Sequence, residues 1–222
     1  MKIATWNLMR PTERTVSRNE FFLDSLKNCN PDILILTETN SIINPGAEYF
    51  SRSTKELPLK FEEFTYSKGE NRTSIYSKFP FGRDFKTYDE YTNICSEILT
   101  PQGTLIFYAT IIGVTGGKDK RFVQDFENQK KDINKLVGDI CIVGDFNISF
   151  SGYPYPSHDV IKQANSYFEM MGIEILTKEH VDCPDHISIS KNYLKNCEIK
   201  IGKGELDKKI SDHTLVTVDL NF

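Results

Sequence analysis

A carboxylate and a carboxamide lie two residues apart at the end of the segment IVGDFN, residues 142–147. The apolar run before them lacks helical spacing and is typical of a buried strand. Because side chains alternate along a strand, Asp145 and Asn147 are expected to point the same way. The carboxylate can order a water molecule or a metal ion, and the amide can donate to a phosphate oxygen without repelling it. The pair therefore favours chemistry on a phosphate group.

Other polar residues occupy similar positions, each at an end of a predicted strand. They are Asn7, Glu38, Asp185, and the adjacent Asp212 and His213. Each has a plain structural explanation when taken alone, because strands end in polar loops. Their joint occurrence favours a site, since together they include the residue types that metal-assisted cleavage of a phosphoester needs.

Short apolar runs predict the strands that must position these residues. Residues 2–6 and 32–37 are predicted to be buried strands, with a helix from Asn19 to Asn28 between them. This opening favours one shared sheet, and residues 40–60 are expected to form a long loop. Four segments rich in β-branched and aromatic residues are typical of an antiparallel meander: 61–66, 73–78, 93–100 and 104–110.

The second half of the chain alternates between helical and strand patterns. Apolar spacing predicts one helix from Phe122 to Val137 and another from Val160 to Met171. Further strands are expected over residues 141–147, 186–190, 197–201 and 214–220. This order suggests two packed sheets with helices outside. No linker or repeat divides the sequence, so a single domain over residues 1–222 is expected.

Composition restricts the class of protein. The net charge of -4 provides no global basic field, so affinity for a polyanion must come from local patches or a metal. No run of eighteen apolar residues is present, which argues against a membrane span, and we expect a cytoplasmic protein. The five cysteines are scattered and form no CxxC pair, which indicates reduced thiols and disfavours a zinc site.

Five sequence blocks carry a resemblance to a known family. They are ATWN (4–7), LTETN (36–40), GDFN (144–147), PDHISIS (184–190) and SDHTLV (211–216). In order and approximate spacing they are similar to the endonuclease/exonuclease/phosphatase superfamily, which includes pancreatic deoxyribonuclease, abasic-site endonucleases, neutral sphingomyelinases and inositol polyphosphate phosphatases. The resemblance implies an α/β (α+β) fold: a four-layer α/β/β/α sandwich of two packed mixed β-sheets flanked by helices, with the site at one edge of the sheets.

The resemblance also implies a metal site. Glu38 matches the acidic ligand of a divalent ion, Asn7 the asparagine beside it, and Asp212 a second carboxylate near it. Mg²⁺ is the expected ion, with Mn²⁺ as a substitute, since Mg²⁺ takes oxygen ligands and keeps several waters.

Four further matches imply catalytic roles. Asp145 matches the residue that positions or deprotonates the attacking water, and Asn147 the one that binds the scissile phosphate. His213 matches a histidine paired with a buried carboxylate, which would be Asp185. An opposite charge there should keep His213 cationic, so that it acts as a phosphate clamp or acid rather than as a base.

Two positions depart from the family pattern. Ile111 stands where many members carry His or Tyr, and Tyr108 is shifted by three residues, onto the other strand face. Because Ile111 cannot donate a proton, protonation of the leaving group would fall to metal-bound water. Met9 stands where abasic-site enzymes place an Asp, which weakens the case for that subgroup.

Loop residues offer candidate substrate contacts. Phosphate contacts are expected from Arg72, Lys118, Lys120 and Arg121. Tyr153 and Tyr155 follow GDFN closely and could stack on a base or wedge a strand.

The leading expectation is a Mg²⁺-dependent phosphodiesterase acting on nucleic acid, with DNA as the expected substrate, and no membrane or protein partner is predicted. One alternative keeps the catalyst but takes small phosphorylated metabolites or lipid headgroups, which the acidic pI slightly favours. A second alternative is a non-catalytic binding module on the same scaffold. So many ionisable groups in one pocket argue against that module, because they are costly to desolvate.

Overall fold

The computed structural model describes residues 1–61 and 64–222, which include three helices and fourteen strands. The helices are α1 (Val16–Cys29), α2 (Phe122–Ile133) and α3 (His158–Met170). The strands are β1 (Lys2–Asn7), β2 (Ile33–Asn40), β3 (Phe50–Ser53), β4 (Lys60–Phe61), β5 (Phe64–Thr65), β6 (Glu70–Ser77), β7 (Phe81–Phe85), β8 (Ile94–Thr100), β9 (Gly103–Ile111), β10 (Ile140–Asp145), β11 (Ile173–Ile175), β12 (Asp185–Ser190), β13 (Glu198–Lys203) and β14 (Val216–Asn221).

Two six-stranded sheets form the centre of the fold. The first has the order β13-β14-β1-β2-β6-β3, and the second has the order β11-β12-β10-β9-β8-β7. Each contains one parallel pair, β1 with β2 and β9 with β10, among antiparallel neighbours. Strands β4 and β5 pair separately. The expected pair of mixed sheets is therefore confirmed.

The layers follow from the side-chain periods of the elements. Helix α1 places Phe22 and Leu26, four residues apart, against the outer face of the first sheet. Helices α2 and α3 cover the outer face of the second sheet with residues that include Phe126 and Phe168. The inner faces pack on each other through residues such as Ile35. Each fully buried side chain of this size stabilises the fold by about 1.5–3 kcal/mol, and the four-layer sandwich is confirmed.

Three details differ from the expected elements. Residues 73–77 belong to β6, which pairs with β2 in the first sheet, and residues of the first segment belong to the separate β4–β5 pair, so the expected meander is divided among three sheets. The expected loop 40–60 contains β3, an edge strand on β6. Helix α2 ends at Ile133, and Val137 beyond it is 88% exposed, so the apolar residue at that spacing did not extend the helix. Glu62 and Glu63, within the first meander segment, lie outside the described residues.

The inner face of each sheet turns polar toward one edge of the sandwich. Along β1 the inward side chains run from Ile3 through Thr5 to Asn7. On the facing sheet, β10 ends with Asp145, and antiparallel β12 begins with Asp185 directly opposite it. Two acids directly opposite each other repel. A cationic group is therefore needed at this edge.

A glycine allows the close approach of β9 and β10 just before the site. Gly144 has φ +132, and a Cβ there would lie 2.1 Å from the Thr110 carbonyl oxygen. Gly144→Ala should lower the free energy of unfolding by about 3 kcal/mol or more, because strain and collision add. Urea denaturation measures this loss of stability. Gly103→Ala is the matched control, since Gly103 also has a positive φ but a Cβ added there would meet no atom within 4 Å. Equal losses of stability in the two variants would show that the contact with Thr110 contributes nothing.

Within the described parts of the chain, no helix is both long enough and apolar enough to cross a lipid bilayer.

Candidate active site

Asn7 joins the ends of the two sheets. Its side-chain nitrogen donates to Glu38 Oε1 at 3.1 Å and to Asp145 Oδ2 at 3.0 Å. Its side-chain oxygen accepts from the Met9 backbone N–H at 2.9 Å. A single amide thus holds a carboxylate from each sheet in place. This arrangement brings together Asn7, Glu38 and Asp145, as the sequence predicted.

Two of the site residues have a left-handed backbone that non-glycine residues rarely adopt. Glu38 has φ +43 and Asn147 has φ +50. The Glu38 carbonyl accepts from the Arg10 N–H at 2.8 Å, and the Asn147 N–H donates to Asp145 Oδ1 at 2.9 Å. Each such conformation costs about 1–3 kcal/mol and persists only where surrounding contacts hold it. Both side chains are therefore positioned by strained backbone. Glu38 lies within β2, which continues to Asn40 and so does not end at Glu38 as expected, and Asn147 lies just beyond β10.

The strain at Asn147 changes its expected orientation. Strand β10 ends at Asp145, so the two-residue alternation does not continue to Asn147. Its side-chain nitrogen instead donates to the carbonyl oxygens of Ile112 at 3.0 Å and Gly113 at 3.1 Å. To donate to a phosphate, this amide must exchange those carbonyl partners for the substrate.

His213 lies between the two opposed acids. Its Nδ1 contacts Asp185 Oδ2 at 2.6 Å, and its Nε2 lies 4.0 Å from Asp145 Oδ2 and 3.5 Å from Asp212 Oδ1. The preceding loop is fixed by Ser211, whose hydroxyl donates to the Asn7 carbonyl at 2.9 Å and accepts from the His213 N–H at 3.1 Å. The imidazole supplies the cation that the opposed acids require.

The surroundings shift two pKa values in ways that suit catalysis. Burial alone would lower the pKa of His213, but the charges of Asp185, Asp145 and Asp212 outweigh it and raise that pKa to about 10. Burial raises the pKa of Asp145 to about 7; the His213 charge opposes this rise, and Asp185 adds to it. His213 is thus cationic at neutral pH, and Asp145 can exchange a proton there.

Two groups of side chains at this edge could contact a cation. Ligand atoms of Asp145, Asp185 and His213 all lie within 4.8 Å of one another. In that group, however, His213 is cationic and Asp185 is fully buried, with its Oδ1 unpartnered among the described residues. Glu38 is only half-buried, and the Asp212 side chain is 59% exposed. The Glu38 side better fits an ion that takes oxygen ligands and keeps its waters.

The comparisons assign this arrangement to a family. The sequence matches the model of the endonuclease/exonuclease/phosphatase family over residues 4–217. The chain belongs to this family. No curated protein matches the sequence.

Several solved structures share the family fold. The 3′ phosphatase NExo from Neisseria, bound to product DNA hairpin, has a TM-score of 0.71 at 16% identity, with 100% of both chains covered. The Xenopus laevis APE2 catalytic domain has a TM-score of 0.66 at 12% identity, with 99% of this chain and 91% of that chain covered. TDP2 from Caenorhabditis elegans has a TM-score of 0.64 at 13% identity, with 99% of this chain and 74% of that chain covered. At these identities the likeness shows the fold.

The two departures from the family pattern lie at the site. Ile111 pairs with Asp145 across the parallel strands and is 1% exposed, so an inert aliphatic side chain borders the catalytic edge. Tyr108 faces the outer helical layer, where its hydroxyl donates to Asp132 at 3.4 Å. It therefore cannot supply the polar group that Ile111 lacks. Met9 lies at the site mouth, where its sulfur accepts from the Asp212 backbone N–H at 3.0 Å.

A cavity opens on each side of the cluster formed by Asn7, Asp145 and His213. The first, here called the Glu38 pocket, has a volume of about 240 Å³, and its walls include Arg10, Glu38, Tyr66, Arg72 and Arg121. The second, here called the His213 groove, has a volume of about 370 Å³, and its walls include Asn147, Tyr153, Tyr155, Asp212 and His213. Asn7 and Asp145 connect the two sides. A substrate can therefore extend from the catalytic edge in both directions.

The predicted substrate residues divide among these places. Arg72 and Arg121 line the Glu38 pocket, and Tyr153 and Tyr155 line the His213 groove. The Tyr155 hydroxyl accepts from the Gly117 N–H at 2.8 Å, which fixes its ring, whereas Tyr153 is 72% exposed. Lys118 lines neither cavity; its Nζ lies 5.9 Å from the Tyr155 ring centroid.

Sequence reasoning missed two residues of the Glu38 pocket. Arg10 forms an ion pair with the buried Glu70, and its guanidinium lies 4.9 Å from the Tyr66 ring centroid. Asn71 lies at the pocket wall in β6. The signal for Arg10 was its place just after the β1 block, beside Met9, while Asn71 offered none beyond its neighbour Arg72.

Proposed function

We propose that the chain is a divalent-metal-dependent phosphodiesterase that hydrolyses nucleic acid, with DNA as its preferred substrate. The observation that carries this proposal is the convergence of Asp145 and cationic His213 beside Glu38 and Asn7, between two cavities. The family acts on phosphoesters. A proton acceptor, a cationic donor and an oxygen-rich metal corner are the groups that hydrolysis of such an ester requires.

Glu38 and Asn7, with Asp212 at the rim, are proposed to hold Mg²⁺, and Mn²⁺ should substitute. Glu38 and Asp212 both act on the charge of Arg18, which indicates that they share one side of the site. The bound ion would supply positive charge to the phosphate and departing oxygens.

The side chains of this chain then divide the remaining work. Asp145 accepts the proton of the attacking water as the new P–O bond forms in line with the bond that breaks. His213, held through Nδ1 by Asp185, directs its Nε2–H toward the phosphate oxygens, where negative charge grows. The departing oxygen takes its proton from solvent, because Ile111 offers none.

Two features support nucleic acid as the substrate. Tyr153 is exposed in the His213 groove, where an aromatic ring can stack on a base. The Neisseria protein with the same fold is described as a 3′ phosphatase bound to a DNA hairpin.

A substrate panel tests the proposal. Plasmid, single-stranded DNA, duplex DNA, abasic duplex, RNA, bis-p-nitrophenyl phosphate and inositol phosphates are each incubated with Mg²⁺, Mn²⁺ or EDTA. We expect metal-dependent cleavage of the DNA substrates, with the highest kcat/KM among them. Turnover of inositol phosphates without DNA cleavage, or no turnover with either metal, would contradict the proposal.

A further inference from the structure

The Glu38 pocket contains three arginines whose charges are used differently. Arg10 forms an ion pair with Glu70, and Arg121 forms one with Asp119. Arg72 forms no ion pair with the described residues, because none of their carboxylate oxygens lies within 4.0 Å of its guanidinium nitrogens. Hydroxyl groups contact Arg72 instead. Arg72 is therefore the pocket arginine whose charge is left for an anionic ligand.

The guanidinium of Arg72 is held in a fixed orientation. Its Nη1 donates to the Thr92 hydroxyl at 3.0 Å, and its Nη2 donates to the Tyr66 hydroxyl at 3.1 Å. The Thr92 hydroxyl in turn donates to Asp89 Oδ2 at 2.6 Å, so its lone pair faces the arginine. Two of the five N–H groups are used by these contacts. A planar, preoriented guanidinium matches the oxygens of a phosphate group.

The wall beside Arg72 contains an unsatisfied polar group. Asn71 is only 6% exposed, and its side-chain oxygen has no partner among the described residues, while its nitrogen donates to the Ser74 hydroxyl at 2.9 Å. Buried polar atoms normally have hydrogen-bond partners. The free atom is an acceptor, so it points to a ligand group that donates a hydrogen bond, such as a nucleobase N–H or a water molecule, rather than to a phosphate oxygen.

The size of the pocket limits what enters it. Its 240 Å³ is below the roughly 300–1,000 Å³ of sites that enclose a whole drug-sized ligand. Apolar wall is provided by Leu57, Phe64 and Val114. Glu38, in the same wall, also belongs to the catalytic edge. The walls also include the carboxylates of Glu70, Asp89 and Asp125, so the pocket offers a local positive charge at Arg72 rather than a net positive charge. One sugar-phosphate unit next to the reacting phosphate fits this volume and apolar surface if its phosphate lies against Arg72.

We propose that the Glu38 pocket binds the phosphate group adjacent to the scissile one, and that Arg72 is the residue that selects substrates carrying it. This inference rests on the proposed function and names the substrate class more closely. A polynucleotide has such a neighbouring phosphate, whereas a simple diester does not. The enzyme should therefore prefer oligonucleotides even where the reacting bond is the same.

The test compares short oligodeoxynucleotides that share one cleavable phosphodiester. In matched versions the linkage on its 5′ side, its 3′ side or both sides is a neutral methylphosphonate. For the wild-type chain, kcat/KM should fall about 10- to 100-fold when the linkage on one side is neutral. Arg72→Met should show the same fall on the native substrate and no further fall on the neutral one.

Two more variants complete the design. Arg83→Met is the matched control, because Arg83 is an exposed arginine on β7 that pairs with Glu97. It should retain the wild-type discrimination. Arg72→Lys keeps the charge but cannot span both hydroxyls, so an intermediate loss is expected; this variant carries the test if Arg72→Met does not fold.

Binding in EDTA, measured by fluorescence anisotropy, separates this inference from the proposed function. Weaker binding of the native oligonucleotide by Arg72→Met, with no weakening for the neutral one, supports the pocket even if the wild-type chain cleaves no DNA. Wild-type cleavage with equal rates on native and neutral substrates would overturn the pocket assignment and leave the proposed function standing. Equal loss by Arg72→Met on both substrates would likewise overturn it, since a structural role predicts that result.

Discussion

Replacing Asp145 by asparagine should lower kcat for DNA cleavage by about 10²–10⁴-fold, the usual contribution of a positioned general base. The asparagine keeps the shape of the side chain and an oxygen that can accept from the Asn147 N–H. It cannot accept the proton of the attacking water. Its side-chain nitrogen would also face the Asn7 nitrogen that donates to Asp145 Oδ2, so some loss of stability is expected beside the much larger loss of turnover. Steady-state kinetics and circular dichroism measure the two separately.

The pH dependence identifies the group responsible. The pKa of Asp145 is raised to about 7, first by burial, and the base must be deprotonated to act. Wild-type kcat should thus rise with pH through about 7 and level off, and Asp145→Asn should lack this rise. Asp159→Asn is the control, since Asp159 is exposed at the start of α3. Near-normal turnover in Asp145→Asn would refute the assignment of the base.

The positions that follow strand alternation could be predicted from the sequence. Asn7 continues the inward row of Ile3 and Thr5, and Asp145 ends the inward row of β10, so the two-residue period alone brings them to the same edge. Asp185 follows because antiparallel β12 begins where β10 ends. Regular backbone transmits this information, and for that reason the sandwich and the meeting of these side chains at one edge can be predicted from the sequence.

The positions that depart from regular backbone could not be predicted in the same way. Asn147 has a left-handed backbone two residues beyond Asp145, which turns its amide toward the carbonyl oxygens at the end of β9. Nothing in the residue types requires that turn. The segment of β6 is similarly ambiguous, because β-branched and aromatic residues favour a strand without saying which sheet it joins.

Contacts between loops were the least predictable. The Glu38 pocket depends on Arg10 after β1, Tyr66 after β5, and Thr92 before β8, which are far apart in the sequence. Arg72 was recognised as a cation in a loop, but its place in β6 and its hydroxyl partners emerged only from the fold. Tyr155 was expected to contact substrate, but its hydroxyl accepts a hydrogen bond from the Gly117 N–H, a contact between loops that the sequence did not indicate.

Replacing Asp185 by asparagine should lower kcat about 10- to 100-fold at pH 9 and less at pH 6, because the charge state of His213 depends on this carboxylate. In the wild-type chain burial lowers the pKa of His213, but Asp185, the largest opposing cause, and the other acids raise it to about 10. Without that charge the pKa should fall by about 1–3 units. The alkaline limb of the pH–rate profile should then move to lower pH.

The same substitution should move the acid limb in the same direction. Asp185 raises the pKa of Asp145, so its removal lowers that pKa and frees the base at lower pH. Stability gives an independent check. Because the pKa of His213 is higher in the folded than in the unfolded chain, His213 stabilises the fold at pH values below its unfolded-state pKa, and this contribution disappears as the pH rises through about 10. Asp185→Asn should weaken that alkaline loss, while Asp219→Asn, at the exposed ion pair with Lys2, should not. An unchanged profile in Asp185→Asn would mean that this carboxylate positions the imidazole without setting its charge.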